Sequence, residues 1–259
     1  MTDDLQLAFM MADIADELSM ARFRAGDLIV DTKPDLTPVT EADRAVERAL
    51  RDLIAAKRPN DGILGEEYGS QGAESARRWV LDPIDGTKNY VRGVPVWATL
   101  IGLMEGTEVI AGVVSAPAMG RRWWAERGKG AFTTDPGSTT PRALTVSAVR
   151  SLADASFSYS DAQGWSDRGA EGGLQTLLDT TWRQRAYGDF WSHMLVAEGA
   201  IDIAAEPDLQ SYDMAALIPI VLEAGGRFTS YSGGDSLAGG SALSSNGLLH
   251  DDVLGLLRP

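Results

Sequence analysis

Trp79-Val80-Leu81-Asp82-Pro83-Ile84-Asp85-Gly86-Thr87-Lys88-Asn89-Tyr90 is the stretch on which the fold turns. Trp79, Val80 and Leu81 read as a buried strand, and the apolar run stops at a carboxylate. Pro83 has no backbone N–H to donate, so the sheet ladder is expected to end there. Asp82 and Asp85 stand three residues apart across that stop. Gly86 permits a tight turn, and Thr87-Lys88-Asn89 reads as the entry to a helix. A rigid strand end bearing two anionic ligands beside a helix N-terminus suits hard divalent cations and, with them, phosphate. Asp-Pro and Asp-Gly are also ordinary turn dipeptides, so this stretch alone leaves both readings open.

Composition bounds what such a site can serve. At 259 residues the chain has room for one large domain or two small ones, and 44% hydrophobic residues suffice for a packed core. Lys and Arg total 23 against 37 Asp and Glu, a net charge of −14. That field repels polyphosphate backbones and argues against nucleic-acid binding. A phosphate site in such a chain must import positive charge, which metal ions supply. Cys is absent, so neither a disulfide framework nor a Cys-based zinc site is available. Asp3 and Asp4 replace the basic segment of a secretory signal, and no apolar run approaches the ~20 residues of a bilayer span. The expectation is a soluble, cytoplasmic protein with no membrane partner.

Outward from the quoted stretch, Leu5 to Ala21 repeat apolar residues at helical spacing, which predicts an amphipathic helix over 5–24. Pro34 and Pro38 mark 31–38 as a loop. Thr40-Glu41-Ala42-Asp43 opens a second helix running to Pro59, with Thr40 as N-cap and Asp43 in the reciprocal position. A plain capping acid is one reading of Asp43. Residues 61–68 predict a short strand ending in Glu66 and Glu67; if it neighbours the strand at 79–82, Glu66 and Asp82 can share an ion. Runs at 97–103, 109–114 and 122–125, punctuated by Gly106, Pro117 and Gly120, predict an antiparallel meander in which Trp123 and Trp124 pack the sheet. Residues 134–142 mark a boundary between halves, 1–141 and 142–259, of a single unit. Beyond it, strands at 156–159, 182–185 and 201–207 alternate with helices at 174–179, 188–198 and 212–223, an α/β pattern. His193 and His250 are isolated in the sequence and read as structural or exposed.

Taken together, Gly65-Glu66-Glu67, the stretch 79–87, Tyr212-Asp213-Met214-Ala215-Ala216 and Glu223-Ala224-Gly225-Gly226 resemble the signature stretches of the inositol monophosphatase family. The resemblance keeps the family's order and covers nearly the whole chain. Within the family it is closest to the actinobacterial-type histidinol-phosphate phosphatases, through the run Asp31 to Thr40, Gly86-Thr87-Lys88-Asn89 and Arg185-Ala186-Tyr187-Gly188-Asp189-Phe190. It implies a layered αβαβα sandwich with two sheets, commonly a homodimer, acting on a small-molecule phosphate ester. It implies that Glu66, Asp82 and the Ile84 carbonyl hold one Mg²⁺, that Asp82, Asp85 and Asp213 hold a second, and that Glu66 helps to hold a third; Mn²⁺ is the alternative metal. Asp43 and Thr87, with Glu66, would orient and deprotonate the attacking water. Gly86 and Thr87 would receive the phosphate, and Asp85 and Asp213 would border the substrate.

Phosphomonoester hydrolysis needs exactly such help from cations in its charge balance, because an anionic nucleophile must approach an anionic phosphate. Without Cys, and with isolated histidines, phosphocysteine and phosphohistidine routes are disfavoured. An aspartyl-phosphate route through Asp82 stays open on residues alone. For substrate choice, the resemblance matches Glu206 to the acid that contacts the alcohol portion. Asp189 stands where inositol-specific members carry a small neutral residue, and a carboxylate there suits the cationic histidinol phosphate. Arg185 is read as holding Asp189 or Glu206 in place. If Asp189 only caps a helix, the substrate is inositol 1-phosphate or another sugar phosphate. The alternative from a different class is a non-catalytic regulator that binds RNA or a protein through this fold; the net charge of −14 and the full set of acids weigh against it.

Overall fold

The computed structural model describes residues 2–160 and 162–257. Helix α1 (Asp3–Arg22) is followed by a hairpin of β1 (Val30–Thr32) and β2 (Pro38–Thr40) and by α2 (Glu41–Lys57). Next come β3 (Gly62–Gly65), β4 (Gly69–Gln71), β5 (Arg77–Asp85) and the short α3 (Thr87–Val91). The meander comprises β6 (Ala98–Glu105), β7 (Glu108–Ala116), β8 (Arg121–Glu126), β9 (Ala131–Thr134) and β10 (Arg142–Ala143). Then follow β11 (Ser156–Tyr159), α4 (Ala162–Asp167), α5 (Glu171–Thr180), β12 (Arg183–Gln184), α6 (Asp189–Ala197) and β13 (Ile203–Glu206). The remaining elements are α7 (Ser211–Met214), α8 (Leu217–Glu223), β14 (Arg227–Thr229), α9 (Ser236–Gly239), β15 (Ala242–Ser245) and α10 (His250–Leu257).

Strands β3 to β10 make an eight-stranded sheet in the order β10-β9-β8-β7-β6-β5-β3-β4, and β11 to β15 a five-stranded sheet in the order β12-β11-β13-β15-β14. Side chains alternate between faces along each strand. Trp79, Leu81, Ile101 and Leu103 turn one way and pack with Met11, Leu50 and Ile54 of α1 and α2. Leu100, Val114 and Trp123 turn the other way, onto Met194 of α6 and Leu217 and Ile220 of α8. Phe228 and Ala242 of the smaller sheet join that same cluster, so α6 and α8 lie between the sheets. The outer face of the smaller sheet, with Phe157, Ile203 and Leu243, is covered by Trp165, Leu177 and Val253 of α4, α5 and α10. The layers read αβαβα, as expected. No helix among the described residues is long and apolar enough to cross a membrane.

Three local expectations need correction. The ladder does not end at Pro83: β5 continues to Asp85, with Asp82 opposite Leu100 and Asp85 opposite Ala98. Three steps along β5 thus match two along β6, a one-residue bulge, where a missing N–H costs no ladder bond. The Pro83 carbonyl accepts a hydrogen bond from Thr99 Oγ1 at 2.8 Å. The helix expected over 212–223 is two, α7 and α8, because Pro219 has no N–H for the Ala215 carbonyl and its ring crowds that position; in the first turn of a new helix it is tolerated. The strand expected at 182–185 shrinks to Arg183–Gln184, at the sheet's edge.

The turn between α7 and α8 presses directly on the larger sheet. A Cβ on Gly102 would lie 2.8 Å from Ala215 Cβ, and one on Gly112 would overlap the Ala216 carbonyl oxygen. Only glycine lets β6 and β7 pass beneath this turn. Gly112→Ala should therefore destabilise the protein by roughly 1–3 kcal/mol through overpacking, read as a lower urea midpoint. An unchanged midpoint would show that the turn can lift without cost.

Candidate active site

Strands β3 and β5 are parallel neighbours with Gly65 opposite Leu81, so Glu66 leaves β3 beside Asp82. Glu47, wholly buried on α2, shapes that exit by accepting the N–H groups of Glu67 at 2.6 Å and Tyr68 at 3.2 Å. Asp82 shares its face with Val80, which packs against Ala215 after α7. In a regular strand Asp85 would face the opposite side, since three is an odd step; the bulge returns it to the side of Asp82. Helix α7 brings Asp213 to the same point. One oxygen each from Asp82, Asp85 and Asp213 lies within 4.8 Å of the others.

Backbone N–H groups fix all three: Ile84 donates to Asp82 Oδ1 at 3.0 Å, Phe190 to Asp85 Oδ2 at 2.8 Å, and Gln210 to Asp213 Oδ2 at 2.6 Å. Burial, then Glu66, Asp85 and Asp213, push the Asp82 carboxyl well up. Burial, then Asp189 and Asp213, do the same to Asp85. Asp213 is pushed up to about 7, by burial first, against the pull of its Gln210 hydrogen bond. Partly buried, oxygen-only and mutually repelling, this donor set fits a hard divalent cation. The Ile84 carbonyl stands beside it, 2.9 Å from Thr87 Oγ1.

Glu66 adjoins Asp82 but lies outside the tight group of three, because its Oε1 is held by Lys33 Nζ at 2.8 Å. The same ammonium holds Glu67 at 2.6 Å. Burial pulls Lys33 down, but its bonds to Glu66 and Glu67 outweigh that and leave it raised and charged. Reading 31–38 as a loop passes over Lys33; its signal was a lone basic residue in an acidic run.

Asp43 is wholly buried and has three contacts shared between its two oxygens. Its Oδ2 closes the capping box, accepting from Thr40 N at 2.8 Å and Thr40 Oγ1 at 2.5 Å. Its Oδ1 faces Thr87 Oγ1 at 3.3 Å. Burial, first among its causes, pushes this carboxyl up. Between Thr87 and the bulge, Gly86 has φ 85°, and a Cβ there would sit 2.9 Å from the Val96 oxygen and 3.2 Å from Asp189 Oδ2.

Glu66, the three clustered aspartates, Gly86 and Thr87 line an open cleft of about 320 Å³ together with Ser160, Asp189, Glu206, Asp208 and Tyr212. Asp189 opens α6 with φ 47°, and Asn89 Nδ2 donates to its Oδ2 at 3.0 Å. Glu206 ends β13 and is buried, its Oε1 3.2 Å from His193 Nε2. Arg185 does not hold either acid. It is exposed, and its Nη1 donates to the Gln184 carbonyl at 2.6 Å. Edge strand β12 continues its pairing through Arg185 N–H to the Phe157 oxygen, 3.0 Å, and the side chain leaves on the solvent side. Asn89 and His193 do the holding instead. Both histidines are buried: His250 bridges Ser245 and Thr229, while His193, isolated in sequence, is adjacent to Glu206 in space.

Comparison with known proteins gives the chain its relatives. A profile of the inositol monophosphatase family matches residues 2–258. A histidinol-phosphatase from Mycobacterium tuberculosis is 57% identical over 252 residues, 97% of this chain and 96% of that one. A histidinol-phosphatase from Streptomyces coelicolor is 54% identical over 260 residues, covering 99% and 97%. In structure the chain is similar to the extragenic suppressor protein suhB from Bartonella henselae, with a TM-score of 0.90 at 29% identity over 99% of either chain.

The acidic cluster has a signed consequence for stability in protein stripped of divalent ions. Folded Asp213 keeps its proton up to about pH 7, whereas its ordinary value is 3.8. Between those values the folded state binds more protons than the unfolded one, so stability falls as pH rises. The Tm should drop from about pH 4.5 to about pH 7.5, and a divalent cation should flatten the drop by replacing the proton. Asp82→Asn should raise the metal-free Tm at the upper pH and weaken the response to cation. A metal-free Tm that climbs over this range, followed by calorimetry, would contradict the assignment.

Proposed function

The chain belongs to the inositol monophosphatase family, and on that premise we propose that it is a Mg²⁺-dependent phosphatase of histidinol phosphate, releasing histidinol and phosphate. Phosphomonoester hydrolysis follows from the family. The pair of carboxylates Asp189 and Glu206, lining the same cleft as the acidic cluster, carries the choice of substrate. Histidinol brings an ammonium and an imidazole to meet them, whereas inositol is a neutral alcohol. Two relatives above half identity that bear the name histidinol-phosphatase support the same choice.

Asp82, Asp85, Asp213, Glu66 and the Ile84 carbonyl are the groups that would hold Mg²⁺, or Mn²⁺ in its place. Bound there, the ions would neutralise the anionic phosphate and acidify the water that attacks it. The chain's own residues position the reactants and move the proton. Thr87 Oγ1 has a single hydrogen and two acceptors in reach, Ile84 O at 2.9 Å and Asp43 Oδ1 at 3.3 Å. Turned toward Asp43, the hydroxyl leaves its lone pairs open to a proton from the attacking water. Asp43, raised by burial, is a stronger proton acceptor than an ordinary aspartate. The Thr40 bonds to Oδ2 fix the carboxylate plane so that Oδ1 stays on Thr87. The N–H groups of Gly86 and Thr87, at the start of α3, lack intrahelical acceptors and are available to phosphate oxygens.

Phosphate release should be faster, in kcat/KM, from histidinol phosphate than from inositol 1-phosphate, and should vanish with a chelator. Asp189→Asn keeps the size and removes the charge. It should cost about ten- to a hundredfold in kcat/KM on histidinol phosphate, the equivalent of roughly 1.5–3 kcal/mol, and much less on inositol 1-phosphate. Equal losses on both would make Asp189 a scaffold residue.

Thr87→Ala and Asp43→Asn should each lower kcat on the order of a hundredfold while KM moves little. If Asp43→Asn lowers only the Tm, its work is confined to the capping box.

A further inference from the structure

His193 lies behind the cleft, against the lining residue Glu206, and has no task in the chemistry above. It is wholly buried on α6, with its ring 5.3 Å from that of Phe228 between centroids. Its Nε2 lies 3.2 Å from Glu206 Oε1, and its Nδ1 lies 2.8 Å from Ser244 Oγ. The two partners come from adjacent antiparallel strands, β13 and β15, in which Ala204 pairs with Ser244 and Glu206 with Ala242. Glu206 and Ala204 are two residues apart and share a face, and Ser244, opposite Ala204, shares it too. His193 spans that diagonal from the helix above. Helix α6 begins at Asp189, four residues earlier, so one helix carries both the cleft residue Asp189 and His193.

Hydrogen-bond chemistry gives this trio a direction. A carboxylate accepts and does not donate, so Nε2 bears the hydrogen and Nδ1 is left to accept from the Ser244 hydroxyl. The order is Ser244 to His193 to Glu206. Glu206 needs such an anchor: it is 5% exposed, and its charge bears on Asp85 and Asp213. A carboxylate among like charges is driven out of position unless a donor holds it. We propose that His193 is a positioning residue for substrate selection, fixing one oxygen of Glu206 so that the other is presented to the cationic head of the alcohol. The inference rests on the histidinol phosphate reading and adds to it the residue that aims the second acid.

Two measurements test it. The chain has two histidines, so the imidazole ¹⁵N spectrum of labelled protein contains two spin systems, and His193→Gln assigns them. His193 should show the Nε2–H tautomer, with Nδ1 perturbed by Ser244→Ala; an Nδ1–H tautomer would overturn the proposal. In kinetics, His193→Leu should raise KM for histidinol phosphate roughly tenfold or more with a smaller change in kcat. The loss in kcat/KM should exceed the loss on phenyl phosphate, which has no cationic head. His193→Gln retains an N–H near the Nε2 position and should recover most of the affinity. In a Glu206→Gln background the effect of His193→Leu should largely disappear, because both act through one contact. Should His193→Leu fail to fold, His193→Gln and Ser244→Ala carry the same comparison, with Ser244→Ala raising KM for histidinol phosphate. Equal losses on both substrates, without rescue by Gln, would overturn the positioning role alone. Wild-type enzyme that hydrolyses phenyl phosphate but not histidinol phosphate would overturn the substrate reading and this inference with it.

Discussion

Asp82, Asp85 and Asp213 are held within 4.8 Å of one another at the end of β5, and the surrounding structure has to contain their repulsion. It does so with strands and backbone donors. Trp79 and Leu81 lock β5 onto α1 and α2, Thr99 ties down the Pro83 carbonyl, and each carboxylate accepts a main-chain N–H. The turn that follows Asp213 and α7 is seated on Gly102 and Gly112, where there is no side chain to lift it. Ligands borne on packed elements cannot swing apart to relieve their charge, and what remains is a strong preference for a divalent cation.

Helix α6 joins this centre to the substrate side. Phe190 and Met194 pack toward the larger sheet, with the Phe190 ring 6.0 Å from that of Trp123, and Phe190 N–H fixes Asp85. One residue earlier stands Asp189, and four residues after that His193 reaches Glu206. A single rigid element therefore sets the spacing between Asp85 and the proposed substrate acids Asp189 and Glu206. On the proposed reading, placing both tasks on one helix would couple selection of the substrate to the geometry of the acidic cluster.

The charge balance of the chain runs the same way. A net charge of −14 and a cleft rich in carboxylates repel bare phosphate. On the proposed reading, cations would bring the phosphate in, and the remaining acids would favour an ester whose alcohol is itself positively charged. Lys33 is the basic group set against Glu66 and Glu67, and it neutralises those acids rather than facing the phosphate alone.

Local rules made much of this legible in the sequence. Helical spacing, the Thr40–Asp43 capping box and the alternating runs of the meander are each decided within a few residues, and they gave the helices, the meander and the α/β pattern, while the layer order and the roles of the acids came from the resemblance to the family. Even the break at Pro219 was written locally, though the apolar run around it masked it. What tertiary structure alone decided was which groups touch. Alternation along β5 would put Asp82 and Asp85 on opposite faces; the bulge that reunites them exists only against β6. Lys33 reaches Glu66 across 33 positions, Asn89 reaches Asp189 across 100, and Arg185, four residues from Asp189, turns to solvent instead. His193 looked isolated because its partners, Glu206 and Ser244, come from two strands brought side by side only by the sheet. Sequence spacing fixes direction along one element, while contact between elements depends on register and packing, which the chain acquires only by folding.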